Sequence, residues 1–145
     1  MASKTSPEHA LALAFAGAWN RLERQLDHNL GAIRGISLAE YRLLRALDDA
    51  PGSKASRVDL AQAVGLTPSG VTRALRPMEK LGIVSTAKSE RDARLAIAAL
   101  TPAGREVLDD ASEVVDDTMK AALKRTPQVA AHADAMTEML EEIGR

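Results

Sequence analysis

VDLAQAVGLTPSGVTRAL, residues 58–75, is the stretch on which the fold turns. An apolar period carried by Leu60, Ala61 and Val64 stops at Gly65, which can take the left-handed backbone that a sharp turn needs. A second helix restarts at Thr67-Pro68, with a hydroxyl at the N-cap and a proline at the first helical position, where its missing N–H costs nothing. Ala61 is small where two helices must cross closely, Val71 points back into the angle between them, and Leu60, Val64 and Leu66 supply the rest of the local core. The spacing is that of a helix-turn-helix. In such a pair the second helix enters the major groove and its N-terminal residues reach the base edges. Val71, Ala74, Leu75 and Met78 fall on its inner side, and Ser69, Thr72, Arg73, Arg76 and Lys80 on its outer side. A helix N-terminus favours phosphate, and arginine can read guanine bidentately for about 1–3 kcal/mol of discrimination.

Working outward, the same Ser/Thr-Pro device recurs at Ser6-Pro7, Thr101-Pro102 and Thr126-Pro127, so four helix starts are predicted from it. Ser37-Leu38-Ala39-Glu40 is a capping box, and Ser56-Arg57-Val58-Asp59 is a weaker relative of one. Six helices are therefore expected. Phe15, Trp19, Leu22, Leu26 and Leu30 form an apolar stripe on the first, and Val129, Met136, Leu140 and Ile143 form one on the last. Residues 102–124 pair an apolar side, from Val107 to Leu123, with an acidic one at Glu106, Asp109, Asp110, Glu113, Asp116 and Asp117, a face turned away from any polyanion. After Gly82 the period changes from helical to alternating. Ile83–Lys88 and Leu95–Leu100 read as a hairpin, with SERDAR, residues 89–94, as its charged turn. Arg91 and Arg94 sit at or beside the tip, on a projection suited to the minor groove, and Asp92 is placed to pair with Arg94 and fix the turn.

The fold class is thus mainly α, in a single domain of 145 residues. With 46% apolar but only 2% aromatic residues, the core must be aliphatic, which suits helix packing. The absence of cysteine excludes a disulfide framework, a thiolate zinc site and a thiol switch within this chain. Met1–Pro7 is polar, and no apolar run approaches the roughly 18 residues that span a bilayer, so a cytoplasmic location is expected and no membrane partner. The formal net charge of -1 hides an asymmetry: residues 57–94 carry seven Lys/Arg against four Asp/Glu, whereas residues 95–145 carry five against ten. His9, His28 and His132 are too scattered for a metal site. With no phosphate loop, metal cluster or nucleophile-base pattern, no enzyme is expected and no cofactor.

The run SRVDLAQAVGLTPSGVTRALRPMEKLGIVSTAKSERDARLAIAALTPAG, residues 56–104, resembles the winged helix-turn-helix core of the MarR (multiple antibiotic resistance regulator) family of bacterial transcription factors. Its most specific parts are LTPSGVTR, LGIV, and Asp92-Ala93-Arg94 followed by Leu100-Thr101. The flanking helices agree in order and length. The resemblance implies a winged helix-turn-helix with a two-stranded β wing at residues 37–101, and dimerisation helices at 1–36 and 102–145. It implies a homodimer on a pseudo-palindromic duplex operator, with Thr67, Pro68, Ser69, Thr72, Arg73, Arg76, Arg91, Asp92 and Arg94 as the DNA-binding residues. It further implies a repressor relieved by a small aromatic or phenolic effector, for which Trp19, His28, Tyr41 and Arg45 are candidates. Ala93 stands where members of that family often carry Arg or another polar residue, so one possible wing contact is absent, and Pro77 falls inside the recognition helix, where it is expected to bend the helix or end it early. The alternative from another class is a winged-helix module that uses the same outer face to bind protein.

Overall fold

The computed structural model describes residues 5–145; Met1–Lys4, which belong to the polar N-terminal stretch, lie outside them. The element order is α1 (Pro7–Arg34), α2 (Leu38–Asp49), a 3-10 turn (Pro51–Ser53), β1 (Lys54–Ser56), α3 (Arg57–Val64), α4 (Pro68–Lys80), β2 (Val84–Lys88), β3 (Ala96–Leu100), α5 (Pro102–Leu123), α6 (Pro127–Ala131) and α7 (Ala133–Ile143). The fold is mainly helical, with a winged helix-turn-helix at its centre.

Capping chemistry sets most of the helix starts. The hydroxyls of Ser6, Ser56, Thr67 and Thr101 each accept the backbone N–H three residues on, at 2.9–3.2 Å. At Ser37 the capping box is complete: Ser37 Oγ accepts from Glu40 N and Glu40 Oε1 from Ser37 N, both at 3.1 Å. Asp27 of α1 adds an acceptor for the Leu38 N–H at 2.6 Å, which locks α2 onto α1.

Thr126 departs from the pattern. It makes no cap bond to α6, and its hydroxyl approaches the Leu123 carbonyl at 3.5 Å instead. The expected single C-terminal helix is broken at His132 into α6 and α7. Neither piece buries a residue, so no packing imposes continuity.

The expected two-stranded wing, β2 and β3, is present, and a third strand joins its sheet. The sheet has three strands, ordered β1-β3-β2 and all antiparallel, because Lys54–Ser56 pairs with Ala99–Ile97. β2 pairs with β3 from Val84↔Leu100 to Lys88↔Ala96.

The core is almost wholly aliphatic. Leu43, Leu44, Leu47, Val71, Leu75, Met78 and Ala98 are each 0% exposed, and Leu26 and Leu30 from α1 and Leu108 and Ala111 from α5 join them. Among the described residues none before Leu26 or after Thr118 is buried. Both ends of the chain therefore project from the lobe.

Candidate nucleic-acid interface

The turn of the helix-turn-helix is made as its sequence requires. Gly65 has φ +70°, and the Leu66 N–H reaches back to the Ala61 carbonyl at 3.0 Å. α4 then runs from Pro68 with Val71, Leu75 and Met78 buried against α3 and the sheet, which fixes its rotation. Ser69, Arg73 and Arg76 lie exposed on the opposite side, one or two helical turns apart, and Thr72 is half-buried beside them. Arg73, Arg76 and Arg91 form no ion pair among the described residues.

Two hydroxyls on this helix are already engaged. Thr67 Oγ1 accepts the Gly70 N–H at 3.0 Å, and Thr72 Oγ1 donates to the Pro68 carbonyl at 3.1 Å.

Of the two effects expected of Pro77, a bend or an early end, the early end does not occur. The helix continues to Lys80, and the Leu81 N–H finds the Pro77 carbonyl at 3.2 Å. Pro77 lies on the exposed side, so its ring meets solvent and water can satisfy the carbonyl one turn back. Termination comes instead at Gly82, φ +72°, where the Gly82 N–H bonds Glu79 O and the Ile83 N–H bonds Met78 O. These are the paired bonds of a Schellman motif, sealed by buried Met78 and Ile83. Lys80 thus sits roughly 18 Å along the helix from its first residue.

At the wing tip Ser89 Oγ accepts from Arg91 N and Asp92 N at 3.2 and 3.4 Å, and Asp92 Oδ1 accepts from Arg94 N at 3.0 Å. Asp92 and Arg94 also approach side chain to side chain at 3.9 Å. With the Arg94 side chain 94% exposed, that pair contributes little energy. The backbone bond shapes the turn and leaves the Arg94 guanidinium free to move. Two further contacts, which sequence reasoning missed, hold the wing in place. Thr86 donates to the Glu79 carboxylate, tying β2 to α4. Thr101 Oγ1 lies 2.6 Å from Gly82 O and 2.8 Å from Ile83 O, binding the start of α5 to the end of α4. Only the Leu100-Thr101 motif hinted at the second.

The four effector candidates are not brought together. Trp19 and His28 are nine residues apart on α1, about two and a half turns, so they face opposite sides. Tyr41 is half-buried against α5, where its hydroxyl meets Ser112 Oγ at 3.2 Å. Arg45 pairs with Asp48 and Asp49 at 3.8 and 3.4 Å, and lines a hollow between α2 and α3 that the other three do not line. Helical periodicity places residues on faces; it does not say which faces share a cleft.

The family model of MarR matches residues 34–95, from the end of α1 to the wing. Over that stretch, which is under half of the chain, the protein is similar to the MarR family. YdgJ of Bacillus subtilis, an uncharacterized HTH-type transcriptional regulator, is 33% identical over 92 residues, which make up 63% of this chain and 55% of that protein. The match thus spans about half the length of this curated relative. Sco3205, a MarR family transcriptional regulator from Streptomyces coelicolor solved in complex with DNA, matches at TM-score 0.80 and 26% identity over 94% of this chain and 88% of its own. CouR, a transcriptional repressor solved bound to a 23-mer DNA duplex, matches at TM-score 0.81 and 25% identity over 93% and 92%. The relatives that match are described as transcriptional regulators.

Among the described residues no helix is long and apolar enough to cross a membrane, and no cluster of three acidic or histidine side chains is placed to hold a metal.

Proposed function

We propose that the protein is a cytoplasmic, homodimeric, sequence-specific DNA-binding transcriptional regulator, a repressor whose hold on a pseudo-palindromic operator is relieved by a small aromatic or phenolic effector. One observation carries this reading. The outer stripe of α4 presents Arg73 and Arg76 without acidic partners among the described residues, on a helix whose rotation the buried Val71, Leu75 and Met78 fix. Relatives solved with duplex DNA support it.

Thr67, Pro68 and Ser69 open the helix that enters the major groove. Thr72, Arg73 and Arg76 follow along its outer side. Arg91 and Arg94 reach the minor groove, with Asp92 shaping the turn between them. The dimer is supported by apolar side chains with nothing to cover them in one copy: Leu11, Leu13 and Trp19 on α1 are 54%, 62% and 47% exposed, and Met139, Leu140 and Ile143 on α7 are 55%, 46% and 66% exposed. Twofold pairing through these helices sets the two α4 helices about one DNA turn, ~34–36 Å, apart.

The test is selection of duplexes from a random library by the purified protein across salt concentrations, with Arg73→Ala alongside. An enriched palindrome, a steep fall of affinity with salt and relaxed preference at one base pair per half-site in the variant are expected. Binding indifferent to sequence would remove the reading.

A further inference from the structure

Two threonines on the recognition helix expose opposite hydrogen-bonding polarity, and their internal bonds fix which is which. Thr67 Oγ1 accepts a hydrogen bond from the Gly70 N–H at 3.0 Å, so its own hydroxyl proton is free to point outward. Thr72 Oγ1 lies 3.1 Å from the Pro68 carbonyl, an oxygen that can only accept, so the Thr72 proton is turned inward along the helix. What Thr72 offers to its surroundings is an oxygen lone pair beside a methyl group. It stands one residue before Arg73 and one turn from both Ser69 and Arg76.

We infer that Thr72 is a specificity-determining residue that acts as a hydrogen-bond acceptor, selecting a base with an exocyclic amine in the major groove. Only two bases answer: the cytosine N4 amine and the adenine N6 amine. Arg73, with five donors and no ion-pair partner among the described residues, selects the opposite polarity, the paired acceptors of guanine. The recognition helix therefore reads an acceptor-bearing base and an amine-bearing base side by side. For Thr72 to donate to a base instead, it must give up the bond to Pro68 O, and the net worth of one such bond sets the bias.

The inference rests on the DNA-binding reading above and is tested in the same selection, with Thr72→Val and Thr72→Ser beside the wild type. Valine keeps the branched shape and loses the lone pairs; serine keeps the acceptor and loses the methyl. Wild type and Thr72→Ser are expected to enrich cytosine or adenine at the same position of each half-site. Thr72→Val should lower that preference about three- to tenfold, the factor equivalent to one hydrogen bond, while leaving the guanine selected through Arg73 unchanged. An unchanged preference in Thr72→Val overturns the inference and leaves the DNA-binding reading standing. Equal relaxation in Thr72→Val and Thr72→Ser overturns it too, because serine keeps the acceptor oxygen that the inference makes decisive. Failure of the wild type to enrich any sequence overturns the DNA-binding reading itself, so the two failures are distinct.

Discussion

At the scale of single residues, the molecule depends on contacts whose partners lie far apart in sequence. Gly104 is the sharpest case: a Cβ built there would fall on the Ile83 carbonyl and within 2.8 Å of the Leu100 side chain. The glycine lets the first turn of α5 lie flat on the end of α4, where Thr101 holds the Gly82 and Ile83 carbonyls. Gly104→Ala must therefore push its methyl group against the Ile83 backbone carbonyl and force the two segments apart. It is expected to cost about 1–3 kcal/mol, seen as a lower urea midpoint with an unchanged slope. A drop of under ~0.5 kcal/mol would mean that α5 can lift without consequence. The N-caps were legible in the sequence because their chemistry is local, a hydroxyl and an N–H three residues apart. Gly104 was not, since nothing near it signals the carbonyl of residue 83. The Thr86 bond to Glu79 escaped for the same reason, although both residue types could be read off the chain.

At the scale of elements, helices were more readable than strands. Long amphipathic periods and capping residues placed α1 to α5, and the alternation after Gly82 placed β2 and β3 to within a residue. β1 was missed because three residues, Lys54–Ser56, are too few to show a period, and its existence depends on the edge offered by β3. α4 is the element where local chemistry and fold disagree. Proline in a helix interior is about 3 kcal/mol less favourable than alanine, yet α4 runs through Pro77 to Lys80 because Met78 and Leu75 hold it against the core. Pro77→Ala should restore the missing backbone bond to the Arg73 carbonyl. An increase in stability of about 1–3 kcal/mol is expected, partly offset by the freer unfolded chain, with a rise in melting temperature as the readout. A fall would mean that the ring itself packs against something that alanine does not reach.

At the scale of the whole molecule, the fold divides energetically into a lobe that is complete and two ends that are not. The buried cluster runs from Leu26 to Val114, with α2, the helix-turn-helix and the sheet between. By contrast the N-terminal half of α1 and all of α7 bury nothing in one copy of the chain, while Trp19 and Leu140 stand about half exposed. A second copy that covers these helices accounts for their apolar stripes, and it separates dimerisation from folding. Trp19→Glu or Leu140→Glu places a charge in the proposed interface and removes no core contact. Each variant is expected to sediment as a monomer at micromolar concentration while keeping wild-type helical circular dichroism. Because a dimer makes the second half-site an intramolecular event, the monomer should lose about 10²- to 10⁴-fold in affinity for the full operator and far less for an isolated half-site. If both variants remain dimers, the interface lies elsewhere on the surface. If they unfold, the ends of the chain support the lobe through contacts that the buried cluster does not contain.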